Sequence, residues 1–122
     1  MWAILSDSGH SKEFADDGPR YAPMVELLAN LAQQNYANEL YGMRSMDTFG
    51  ITTAPSYAKR NGHDSVRVQY APSTELFYVN YDQWISATRN PSHGRSCTRS
   101  CEPLEVQDII ALYVLRLVMS KR

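Results

Sequence analysis

The sequence predicts an α+β fold: a small antiparallel sheet packed against two main helices. Three observations carry the prediction. Residues 65–82 hold two β-rich runs separated by a four-residue, proline-containing turn. Residues 23–41 open with an apolar stripe at helical spacing. Residues 103–119 are apolar around most of a helical circumference. At 122 residues the chain suits one domain over 1–122, large enough to fold without a metal or a disulfide.

In chain order, Trp2-Ala3-Ile4-Leu5 reads as a short edge strand over 2–5. Ser6 to Arg20 is polar and broken by Gly9, Gly18 and Pro19, so it reads as a loop with one helical turn near Glu13–Asp16. Pro23 suits a first helical turn, and Met24, Leu27, Leu28 and Leu31 follow at i, i+3, i+4, i+7. Gly42 is a natural stop, which sets the helix at 23–41. Asn35, Asn38 and Glu39 fall on its apolar arc, so the helix bends near Gln34, leaves the core there, or offers those groups to a partner.

Residues 42–64 have no sustained period and read as a long connection, with Thr52 to Pro55 extended and a helical turn or two closed by Asn61-Gly62. Val66, Val68 and Tyr70 alternate with Arg67 and Gln69, and Leu76 to Tyr81 follow after the turn, so a hairpin is the strongest local prediction. Gln83 to Ser100 is polar and loop-like. Pro103 opens the last helix. On its wheel Glu102, Glu105, Asp108 and Arg116 make one polar stripe, interrupted by Leu112 and Met119. A helix this apolar should be largely buried, against the sheet or between two copies.

Composition excludes several classes. Hydrophobic residues at 43% and charged residues at 20% exclude disorder. A net charge of −1 excludes DNA wrapping and wholesale mimicry of nucleic acid. That balance is uneven along the chain: residues 1–48 carry three basic and seven acidic side chains, and residues 49–122 nine basic and six acidic, so −4 sits beside +3. The first apolar run is too short for a signal-peptide core, and no stretch reaches the roughly 18 apolar residues of a membrane span. The expectation is a cytoplasmic protein with Cys97 and Cys101 reduced.

Four clusters are candidates for function. His93, Cys97 and Cys101 have zinc donor types and would share a face if their segment were helical, with His63, Asp82 or His10 as a fourth ligand. The same stretch read for charge holds Arg89, Arg95 and Arg99 with no acid over 83–101, a pattern suited to phosphate or carboxylate. Lys59, Arg60, His63 and Arg67 form a second basic group, interleaved with Tyr57, Tyr70, Tyr78, Tyr81 and Trp84, which could stack on bases. Ser6-Asp7-Ser8-Gly9-His10-Ser11 has hydrolytic residue types but lacks a nucleophile elbow, and reads as a hydrogen-bonded turn. Asn35, Tyr36 and Asn38 belong to an amide-rich helix face with the chemistry of protein recognition.

The reading that follows is a non-enzymatic protein-binding domain, accessory or inhibitory and of a size common among phage-encoded proteins. It needs no cofactor and acts through Asn35, Tyr36, Asn38, Arg89, Arg95 and Arg99 on another protein or complex. A nucleic-acid-binding domain using Lys59, Arg60, Arg67, Arg89, Arg95 and Arg99 is the first rival. A zinc-binding or hydrolytic protein built on the His and Cys residues is the second. The helix at 103–119 is the expected contact of a homodimer.

Overall fold

The computed structural model describes residues 2–84 and 96–120. Among them are strands β1 (Trp2–Ile4), β2 (Tyr41–Ser45), β3 (Thr48–Thr52), β4 (Ser65–Ala71), β5 (Leu76–Asp82) and β6 (Ser96–Cys101). They form one antiparallel meander in which every strand pairs with its neighbour in sequence. Helices α1 (Gly9–Ala15), α2 (Ala22–Leu31) and α3 (Val106–Met119) complete the α+β architecture. No helix of the described residues is long and apolar enough to cross a membrane.

The hairpin expected at 65–82 is β4–β5, in register from Ser65↔Asp82 to Ala71↔Leu76. Its alternation does what period two demands. Val66, Val68 and Tyr70, with Phe77, Val79 and Tyr81, are buried in a core shared with helix residues such as Phe14, Leu31, Ile110 and Leu117. Arg67 and Gln69 on the opposite side are exposed. The edge strand expected at 2–5 is β1, paired with β2 alone.

Five expectations need correction. The helix at 23–41 ends at Leu31, where its apolar stripe runs out. A 3-10 turn at Asn35–Asn38 follows, burying Ala37, and Leu40 then enters the core from a new direction. The Leu5 and Ser6 N–H groups donate to the Leu40 and Ala37 carbonyls at 2.8 and 3.2 Å, which ties this turn to the end of β1. Gly42 is therefore no helix stop. It lies in β2 beside Phe49, and a Cβ there would stand 2.4 Å from the tip of the Phe49 ring. Glycine is required because the ring packs directly over the strand.

The connection expected over 42–64 contains a second hairpin, β2–β3, joined through Met46 and Asp47. On the core side of β2 stand Gly42 and Arg44 where an apolar pair would have announced a strand. Arg44 is placed to cap the core: its guanidinium lies 4.1 Å from the Phe14 ring centroid, donates to the Glu13 carbonyl at 2.6 Å and pairs with Asp17.

Ser6 to Arg20 is not a loop with a turn at 13–16, because α1 occupies Gly9–Ala15 and buries His10 and Phe14 one helical turn apart. The Gly9 N–H donates to the Asp7 carboxylate at 2.7 Å at its start. His10 is 2% exposed, with its Nε2 at 3.2 and 3.1 Å from the Ala3 and Ile4 carbonyls. Both are acceptors, so Nε2 carries the proton. Its Nδ1 is buried with no hydrogen-bond partner among the described residues. This histidine is a core residue packed edge-on to Phe49, not a hydrolytic one.

The polar stretch at 83–100 ends in a strand, β6, not a loop. Cys97 and Cys101 are thus four residues apart along an extended chain, about 13 Å, well beyond the ~7 Å that a disulfide can bridge. They also lack the helical spacing that the zinc reading required. Cys101 is a free, buried thiol, and burial raises its pKa.

Finally, α3 starts at Val106 after a turn at 102–105, and only one side of it is buried. Val106, Ile109, Ile110, Val114 and Leu117 face the core, while Leu112, Leu115 and Met119 are 62%, 58% and 78% exposed.

Candidate binding cleft

The buried residues of the helices and of one side of the sheet form a single core, so the other side of the sheet is left uncovered by α1, α2 and α3. Two of its rows of cross-strand neighbours lie at the site. One runs Trp2–Met43–Gly50–Arg67–Asn80, the other Ile4–Tyr41–Thr52–Ser65–Asp82. The segment 53–64 leaves β3 and returns into β4 at the end of the second row, and the chain after β5 leaves at the same end. Between these segments and the two rows lies a cleft of about 500 Å³. That is within the range of ~300–1,000 Å³ typical of ligand sites.

Three aromatic rings line the cleft: Trp2 from β1, Tyr57 from a 3-10 turn at Tyr57–Lys59, and Trp84 after β5. They are the chain's two tryptophans and one exposed tyrosine. Trp2 is fixed by an indole N–H donated to the Ala54 carbonyl at 2.9 Å, and its ring meets Tyr57 edge-on at 6.1 Å. The Arg60 guanidinium lies 3.7 Å from the Tyr57 ring centroid and donates to the Tyr57 carbonyl at 2.8 Å. Arg67 reaches both carboxylate oxygens of Asp82. Met43 and Gly50 add an apolar, low-relief stretch of floor.

Asp64 holds the rim in place. Its carboxylate accepts the Tyr81 hydroxyl at 2.6 Å and the Trp84 N–H at 2.7 Å, so one side chain joins the 53–64 segment, β5 and the second tryptophan. The Asp64 carbonyl accepts the Thr52 hydroxyl at 3.0 Å, and Thr52 Oγ1 in turn accepts the Ala54 N–H at 3.2 Å. Burial, followed by the bond to Asp64, pushes the Tyr81 phenol up to about 12. His63 shares a 2.7 Å hydrogen bond with Thr53 through Nδ1. Thr53 is buried and outside the cleft lining, so this pair orients the imidazole and presents no nucleophile.

The structure sorts the sequence-predicted residues unevenly. Arg60 and Arg67 line the cleft and Lys59 stands exposed on the same 3-10 turn, so half of the nucleic-acid set comes together. Arg99 does not join them. It pairs with Val79 on the helix-side row and is exposed at the β6 edge. Tyr57 and Trp84 reach the cleft, Tyr78 lies on the open face, and Tyr70 and Tyr81 are buried in the core. Asn35 and Asn38 are exposed on their 3-10 turn; Tyr36 packs against the core, which raises its pKa. This turn is not part of the cleft, but lies at the same end of the sheet. Arg89, His93 and Arg95 fall outside the described residues, as does the Cys97 side chain.

Of the proposed fourth zinc ligands, His63 and Asp82 line the cleft while His10 sits in the core on the opposite side. Among the described residues no group of three or more His, Cys, Asp or Glu side chains is arranged to hold a metal. Trp2 and Met43 were not legible as site residues. They reach Arg67 only through the pairing of β1, β2, β3 and β4. Comparisons with protein-family models, curated proteins and solved structures returned no match.

Proposed function

We propose that the chain is a non-enzymatic binding protein, accessory or inhibitory in role, whose recognition surface is the uncovered sheet face and whose anchor point is the cleft. The observation that carries this reading is the company in the cleft: both tryptophans, Tyr57, Arg60 and Arg67 around a concavity of about 500 Å³. Trp, Tyr and Arg dominate the energetic centres of protein interfaces, where they surround a pocket that a partner side chain fills. Rigid aromatic walls give contact area at small entropic cost. An aromatic or long apolar side chain of another protein fits this lining, and Asn35 and Asn38 at the same end of the sheet extend the contact with adaptable hydrogen bonds.

One observation favours single-stranded nucleic acid as a second reading. Arg60 stacks on Tyr57 beside Lys59, and two tryptophans stand near, a combination that accepts bases on the rings and phosphates on the cations. Against it, Arg67 is already neutralised by Asp82.

Partner capture followed by alanine substitution tests the assignment. Tyr57→Ala and Arg60→Ala should each weaken binding at least tenfold, and the Asn35→Ala/Asn38→Ala pair should weaken it less. Because the only tryptophans line the cleft, binding should also change intrinsic fluorescence. Unchanged affinity in both cleft variants removes the site. A steep fall of affinity with salt favours the nucleic-acid reading over the protein one.

A further inference from the structure

On a helical wheel at 100° per residue, the buried positions of α3 occupy one half of the circumference. The other half carries Asp108, Leu112, Leu115 and Met119 within about 60° of arc, with Ala111 and Arg116 at its flanks. Leu104, in the turn before the helix, is 94% exposed. Among the described residues, the side chains of this stripe are exposed. Four large apolar side chains present a patch on the order of 500 Å², the size at which an exposed patch on a monomer usually has a role.

We propose that α3 is the contact of a two-fold homodimer, in which it packs antiparallel against α3 of a second copy. Charge selects this occupant and this direction. The helix is acidic at its start, with Glu102, Glu105 and Asp108, and carries Arg116 near its end. The midpoint of the stripe from Leu104 to Met119 falls between Ala111 and Leu112. An antiparallel copy centred there sets Asp108 opposite Leu115, one residue from Arg116. A parallel copy would bring like charges together, and the helix dipoles favour the antiparallel pair as well.

Arg116 flanks the stripe on the side nearer β5. Its guanidinium lies 4.2 Å from the Tyr81 ring centroid, which occupies a face and leaves the hydrogen-bonding edge for a carboxylate. The apolar stripe alone falls short of the ~800 Å² per partner of a standard interface. Asp108 within the stripe and Arg116 at its flank add a charged pair to the apolar contact.

Sedimentation equilibrium over micromolar to millimolar concentration tests this directly. The full chain should reach twice its monomer mass. Leu115→Arg should weaken association at least tenfold while leaving the far-UV circular dichroism of the fold intact, because Leu115 touches solvent in the single copy. Asp108→Arg should also weaken association, and adding Arg116→Asp should restore it. A chain that stays monomeric throughout overturns the proposal, as does a dimer indifferent to Leu115→Arg. Failure of the charge exchange to restore association overturns the antiparallel arrangement. Leu115 lies outside the cleft lining, so failure of Leu115→Arg to weaken association is distinguishable from failure of the binding reading.

Discussion

The two faces of the sheet are built from the same strands by the same alternation, yet they have opposite characters. On the helix side Phe49, Ile51, Val66, Val68, Val79 and Tyr81 are essentially inaccessible to solvent. On the other side the same strands offer Met43, Gly50, Arg67 and Asp82, with Trp2 from the edge. A buried face is selected for mutual fit; the face that α1, α2 and α3 leave uncovered collects aromatic rings and arginines, and is where the proposed binding falls. Substitutions on the first should cost stability, and substitutions on the second should cost binding.

Phe49→Ala removes a fully buried ring and should cost about 3–5 kcal/mol in chemical denaturation. Gly42→Ala should cost about 1–3 kcal/mol for the opposite reason, since its methyl collides with that ring. Together the two should cost less than their sum, because the methyl then occupies space the ring has left. Strict additivity would show that the ring does not pack over β2.

The alkaline limb of the stability curve tests the joint between the faces. Tyr81 lies in the core, but its hydroxyl donates to Asp64 on the cleft rim. Its phenol ionises at 10.0 in an ordinary setting and at about 12 in the fold. The unfolded chain therefore loses the proton first as pH rises. The stability this group contributes is intact below pH 10 and is lost between 10 and about 12. Tyr36 and Tyr70 are shifted upward as well and act in the same direction. Denaturation midpoints across that window should fall, and should fall less steeply in Tyr81→Phe.

The smallest expected effect on stability is the sharpest test of the comparison. Tyr57 is 59% exposed on the cleft rim. Tyr57→Ala should move stability by no more than about 0.5 kcal/mol, while binding falls at least tenfold. If stability fell by as much as in a core variant, the cleft would be structural and the functional division between the faces would not hold.

The legibility of the fold varied with the distance over which its signals act. The hairpin at 65–82 was plain because both strands alternate cleanly and their partner is next in sequence. The β2–β3 hairpin was hidden because Gly42 and Arg44 occupy the core side of β2, and because Met46-Asp47 lacks the glycine that usually marks a two-residue turn. β6 was missed because an edge strand carries polar residues. The end of α2 was overrun, although Asn35 on the apolar arc was the warning. At the site, the Lys59, Arg60 and Arg67 group was legible from composition, but Trp2 was not.

By itself the sequence determined the α+β class, the central hairpin and the existence of two main helices, because period two and period 3.6 are local properties of a chain. It also determined that a basic and aromatic group existed near residues 57–67. Tertiary structure decided which face of the sheet the helices would cover, and so which aromatic residues became core and which became surface. It brought Trp2 to Arg67 across three strand pairings, and it separated Arg99 from Arg60 and Arg67. Cross-strand pairing places residues by register and not by distance along the chain, so a site assembled from four strands leaves no pattern in any one of them.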